Sequence, residues 1–143
     1  MKILFVCFAN AGRSQVATAH FNSISRHRAA SAGTRVDRLL EQRKPATRKV
    51  LDATGGPTVI GYMRDRGIDV AGNVRRQLSP EMVEEADRVI VITAKDSWPE
   101  YLLNSPKVIF WDIPNAVGMQ PGAAAEVYDR VTQRVETLVR DIG

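Results

Sequence analysis

The chain has 143 residues, enough for one domain with its own core and no need of disulfides or a metal to fold. Its single cysteine excludes an internal disulfide and fits a reducing, cytoplasmic setting, and no apolar run approaches the ~18 residues needed to span a membrane. A net charge of +4 suits an anionic ligand, and no zinc spacing, RNA motif or basic heptad accompanies it, so no specific nucleic-acid partner is expected.

In chain order, Ile3 to Cys7 reads as a buried strand. From Ser14 to about Arg26, the residues Val16, Ala17, His20, Phe21 and Ile24 recur at helical spacing. Arg28 to Ala32 is a second strand that runs into Gly33-Thr34. The stretch Arg35 to Lys49 is rich in Arg and Lys; its apolar positions predict a helix interrupted before Pro45. Gly55-Gly56-Pro57 is a break, and Pro57 opens a helix that ends near Gly67. Ser79-Pro80 is a cap followed by proline, starting a helix through Ala86. Val89 to Ile92 is a third buried strand, Ser97 to Leu103 a short helix, and Val108 to Trp111 a fourth strand. Ala123 to Ile142 is an amphipathic helix with Val127, Val131, Val135, Leu138 and Ile142 on one face. Strands alternating with helices predict an α/β fold, a four-stranded parallel sheet with helices on both faces.

The chemistry concentrates in the loop between the first strand and first helix, Cys7-Phe8-Ala9-Asn10-Ala11-Gly12-Arg13-Ser14. A short loop entering a helix turns several backbone N–H groups toward one point, where the helix dipole adds positive potential. Phe8, Ala9, Asn10, Ala11 and Gly12 supply the loop, and Arg13 adds a two-pronged donor matched to a tetrahedral oxyanion. Asn10 tolerates left-handed backbone, as Gly12 does. Such a field favours the thiolate of Cys7, the nucleophilic form, and the Ser14 hydroxyl can donate to it. A lone cysteine is more often a small core residue, but the arginine, serine and helix start beside Cys7 argue against that. Lys2, the apolar run and Ala9-Asn10-Ala11 also mimic a signal peptide, but the run is short and cleavage would remove Cys7. His20 and His27 have no acidic or cysteine partner at metal-ligand spacing, so no metal site is expected.

The loop resembles that of the low-molecular-weight protein tyrosine phosphatases and the arsenate reductases that share their fold, whose pattern runs Cys-x-Gly-Asn-x-Cys-Arg-Ser. Cys7, Asn10, Arg13 and Ser14 match; Ala9 replaces the family glycine and Gly12 its second cysteine. Ser31-Ala32-Gly33-Thr34, Gly67-Ile68-Asp69, Gln77-Leu78-Ser79-Pro80 and Trp111-Asp112-Ile113-Pro114 extend the likeness. It implies strand order 2-1-3-4, with the Cys7 loop at a switch point. It also implies a cysteine-dependent phosphatase acting on phosphomonoesters, phosphotyrosine among them, through a cysteinyl-phosphate on Cys7 and without a cofactor.

Three departures matter. The positions of the family's relay cysteines, around Ala94 and Tyr101, hold none, which excludes a three-cysteine reductase. A single-cysteine arsenate reductase using a small external thiol stays open. Gly12 removes the intra-loop disulfide partner, leaving Cys7 open to over-oxidation. Aligned on Trp111 and Gly118, the family's acid aspartate falls on Asn115, which cannot exchange a proton as a carboxylic acid does. Asp112 is the nearest substitute, with Cys7 and Arg13 as its catalytic partners; the bland reading is a surface carboxylate at a strand end. A phosphotyrosine platform would need Trp98, Tyr101 or Tyr62. If no acid serves, a third reading is a module that binds oxyanions or phosphoproteins with little turnover. The expected ligands are phosphate, arsenate or a phosphorylated substrate; no membrane partner is expected, and the oligomeric state is not legible.

Overall fold

The computed structural model describes residues 1–42 and 47–143. The basic stretch Arg35 to Lys49 follows the carboxyl end of the second strand and is expected either to border the site mouth or to be a solvated helix face; its positions Arg43 and Lys44 lie outside the described residues.

The sheet is built from β1 (Lys2–Cys7), β2 (Arg28–Gly33), β3 (Arg88–Val91) and β4 (Val108–Phe110), in the order β2-β1-β3-β4. All neighbouring pairs are parallel. The chain leaves β1 for β2 on one side and later returns to β3 on the other. The loop after β1 therefore sits where the sheet's two winding directions part, in the crevice such sheets use for ligands.

β1 is apolar on both faces because helices cover both. Ile3 and Phe5 join one core cluster with residues of α1 (Arg13–Ile24), α3 (Gly56–Arg64) and α6 (Pro121–Ile142). Phe5 packs against Phe21 of α1 and Trp111, with ring centroids 5.9 and 5.8 Å apart. Leu4 and Val6 face the other way, onto Val83 of α4 (Pro80–Glu85) and Leu102 of α5 (Glu100–Leu103). The alternation is the period-two geometry of a strand buried on both sides. β4 is an edge strand, and its Ile109 and Phe110 are exposed.

The expected elements form with small shifts in their ends. The helix expected over Ser97 to Leu103 is corrected. A 3-10 turn at Lys95–Ser97 and α5 are separated by Trp98 and Pro99, whose extended backbones break the run. Proline has no N–H to give an upstream carbonyl, so the run from Ser97 cannot continue through Pro99, which instead stands as the N-cap of α5. α2 spans Val36–Gln42, and the interruption expected before Pro45 falls at 43–46, outside the described residues.

Gly33 brings β2 under the loop. A Cβ there would lie 2.6 Å from the Phe8 carbonyl oxygen and 2.8 Å from the Asn10 nitrogen. The turn after β2 then holds the loop from below. Thr34 N–H donates to the Cys7 carbonyl at 2.9 Å and Arg35 N–H to that of Phe8 at 3.0 Å.

Candidate active site

Cys7 ends β1 and is 2% exposed. Its Sγ lies 2.9 Å from Ser14 Oγ, in the first turn of α1. Asn10 decides the direction of that hydrogen bond. It has left-handed backbone, φ 51°. Its Oδ1 accepts from the Arg76 backbone N–H at 2.8 Å, which turns its Nδ2 toward Ser14 Oγ at 2.7 Å. With the serine oxygen already accepting, its proton is left to point at the sulfur. Gln15 ties this staple to the segment after α3, donating from Nε2 to the carbonyls of Asn10 and Val74 at 3.1 and 3.2 Å. Arg75 donates from Nε to the Ala9 carbonyl at 3.0 Å, so a buried cation holds the loop's far side. The loop is thus bonded from several directions before any ligand arrives, the preorganisation an anion site needs.

Arg13 is 7% exposed, at the start of α1. Its Nη1 donates to the carbonyls of Ile92, just past β3, and Ile113. Those contacts use one nitrogen. Nε and Nη2 have no hydrogen-bond partner among the described residues, and no carboxylate there pairs with this guanidinium. A buried charge without a counter-charge is costly, and a bound oxyanion would relieve it.

Above Cys7 is a hollow of about 20 Å³, lined by the loop and Arg13, by Thr54 and Gly55 before α3, and by Asn115, Val117 and Tyr128. It adjoins a cleft of about 340 Å³, with which it shares Phe8, Ala9, Ala11, Thr54, Asn115 and Val117. The cleft continues past Leu39 and Leu40 of α2 to Asp52 and Arg75. The structure therefore brings together Cys7, Phe8, Ala9, Ala11, Gly12 and Arg13 around one point, with Asn10 and Ser14 behind them holding the loop.

Asp112 is elsewhere. It is exposed and lines a separate hollow with Ile113, Arg130, Gln133, Arg134 and Thr137, against the outer side of α6. Asp112 does not share the hollow with Cys7, because Trp111 and Ile113 on either side of it are buried in the core and leave it exposed on the other side. Asn115 is the residue that reaches the hollow, and its Oδ1 accepts from Val117 N–H at 3.1 Å. Nor do the proposed platform aromatics reach it. Trp98 donates from its ring nitrogen to the Thr93 carbonyl, Tyr101 donates to Leu78, and Tyr62 donates to Asp129. The rings at the hollow are Phe8 and Tyr128. Sequence reasoning missed Thr54, Arg75 and Tyr128. Tyr128 had a usable signal, since it follows Val127 on the buried side of a strongly amphipathic helix.

Residues 2–142 match the family described as low molecular weight phosphotyrosine protein phosphatase. The chain belongs to that family. A search of curated proteins finds no match for this family member. Among solved structures, it is similar to YwlE from Bacillus subtilis at 21% identity, covering 99% of this chain and 98% of that one, with TM-score 0.76. Vibrio vulnificus Wzb, solved with benzylphosphonate, shares 20% identity over 98% and 97% of the chains, at TM-score 0.77. An arsenate reductase from Archaeoglobus fulgidus shares 26% identity over 96% and 98%, at TM-score 0.69. No helix among the described residues is long and apolar enough to cross a membrane.

Proposed function

We propose that this phosphatase-family member hydrolyses phosphomonoesters through a covalent intermediate on Cys7. The reading rests on the buried guanidinium of Arg13, which has no carboxylate partner among the described residues and faces the hollow that holds Cys7. The Cys7 thiolate attacks phosphorus, the S–P bond forms as the ester P–O bond breaks, and the alcohol oxygen leaves and takes a proton. The loop amides, the helix start and Arg13 stabilise charge on the three non-bridging oxygens. As the S–P bond forms, the sulfur loses its charge. Water then attacks the cysteinyl-phosphate, restoring the thiolate and releasing phosphate. The cleft beside the hollow gives the ester's organic part a place to lie, against Phe8, Leu39 and Leu40.

Arg13→Ala is the direct test. Phosphate should inhibit aryl phosphate hydrolysis by the wild type and bind it in calorimetry, and the variant should lose both its activity and that binding. Unchanged phosphate binding by the variant would remove Arg13 from the site.

One observation favours a second reading. Among the described residues, no Asp or Glu lines the hollow over Cys7. Arsenate reduction needs no acid for an alcohol leaving group: Cys7 would displace water from arsenate, and a small external thiol would attack its sulfur. That thiol forms a mixed disulfide as arsenite leaves with the electron pair, and a second thiol restores Cys7. Arsenite formed only with added thiol, with no phosphate released from aryl esters, would put this reading first. Absence of both reactions, with phosphate still bound, would favour the oxyanion-binding module.

A further inference from the structure

The Tyr128 hydroxyl stands where a loop side chain would otherwise be. A Cβ at Gly12 would meet it at 3.0 Å. Gly12 is the position at which the family pattern carries its second cysteine, so the glycine and the tyrosine fit each other. Tyr128 is 3% exposed and yet lines the hollow with Cys7 and Arg13. Its ring is fixed edge-on against Tyr62, with centroids 5.4 Å apart. Unlike the hydroxyls of Tyr62 and Tyr101, that of Tyr128 has no hydrogen-bond partner among the described residues, and it is open to the hollow rather than sealed in the core. Burial first, and the charge of Cys7 second, push its pKa up to about 12, so it remains a protonated donor across the neutral range.

We propose that Tyr128 is a further catalytic residue, its O–H donating to a non-bridging oxygen of the oxyanion held over Cys7, from the place a second loop cysteine would take. The inference rests on the oxyanion site proposed above. It supplies a donor from α6 to an anion otherwise held by the loop and α1. The donor serves the bound anion and the transition state alike, because the same oxygens carry charge in both.

Tyr128→Phe keeps the ring and removes the oxygen. Inorganic phosphate is the probe, titrated calorimetrically against wild type and variant, with thermal unfolding measured beside it. Phosphate affinity should fall about ten- to a hundredfold, the worth of one hydrogen bond to a charged group. kcat/KM for an aryl phosphate should fall by at least as much, with the melting temperature little changed. A tyrosine that only packs would move the melting temperature and leave phosphate affinity within twofold, and that result overturns the proposal. Should the variant fold poorly, the wild type labelled with 13C at the tyrosine ζ carbon gives the answer. Saturating phosphate should shift the Tyr128 signal, and an unmoved signal overturns the proposal. A wild type that binds no phosphate would overturn the site itself and this inference with it, whereas tight binding indifferent to Tyr128→Phe overturns this inference alone.

Discussion

Asn115 stands at the mouth of the hollow over Cys7, where the family aligns a proton-donating aspartate, while Asp112 lies against α6. Asparagine holds no exchangeable acid proton, so esters with poor leaving groups should react far more slowly than activated aryl phosphates. General acid help is worth typically ~10²–10⁴-fold, and Asn115→Asp should recover part of that for an alkyl phosphate and little for an activated ester. Asp112→Asn should change both rates less than threefold. Steady-state kinetics on the two ester classes checks this; a large loss in Asp112→Asn would return Asp112 to the mechanism. The residues behind these expectations differed in legibility. Cys7, Asn10, Arg13 and Ser14 are consecutive neighbours on a strand, loop and helix start, so their spacing alone predicts their meeting. Asp112 lies apart from Cys7 because its direction is set by the burial of Trp111 and Ile113 in the irregular segment after β4, which no local period records. Thr54, Arg75 and Tyr128 arrive from distant elements, and only packing brings them in.

The helices around the site are positioned by close backbone approaches as much as by their apolar faces. α3 starts against the 3-10 turn at Val50–Asp52, and a Cβ on Gly56 would lie 1.8 Å from the Val50 carbonyl oxygen. No side-chain motion relieves a clash with backbone, so Gly56→Ala must separate the turn from the helix. The loss should exceed about 2 kcal/mol, in the range of overpacked cores. Because Thr54 and Gly55 line the hollow just before this contact, phosphate affinity should fall too. Gly72 is the control: a Cβ there meets nothing within 4 Å, and Gly72→Ala should be neutral or stabilise by up to ~1 kcal/mol through the unfolded chain. Urea midpoints for both variants test the contrast. Capping gives a smaller expectation. Ser79 Oγ accepts from the Met82 N–H at 3.4 Å at the start of α4, and Ser79→Ala should cost about 0.5–2 kcal/mol. That cap was readable from Ser79-Pro80 alone, whereas the Gly56 contact was not, since the sequence marked only a break there.

Across the whole molecule, both core faces follow from elements whose periods are plain, whereas the sheet order was implied only by the likeness to the phosphatase family. The two unbroken apolar strands needed cover on both sides, and α1, α3 and α6 with α4 and α5 supply it. The cost of that cover is visible in the tyrosines. Tyr62 and Tyr128, packed edge to face between α3 and α6, are both pushed up to about 12, by burial before any other cause. Burial, with Glu81 second, also raises Tyr101 above its ordinary value. In the unfolded chain tyrosine ionises near ~10. Between pH 10 and 12 the unfolded state therefore gives up protons that the folded state keeps. Stability is fully present below pH 10 and falls as pH rises toward 12, because ionisation favours the unfolded chain. Absorbance at 295 nm should show little tyrosinate near pH 10 and then a steep rise coincident with loss of the far-ultraviolet helix signal. Tyr62→Phe separates the causes. It removes the hydrogen bond to Asp129 at 2.6 Å and should lower the urea midpoint at pH 7 by the worth of about 1 kcal/mol. It also removes one suppressed ionisation, so its stability should fall less steeply than the wild type's between pH 10 and 12. Equal slopes for the two proteins would mean that Tyr62 ionises alike in the folded and unfolded chains, and that its ring is less enclosed in solution than its place beside Tyr128 requires.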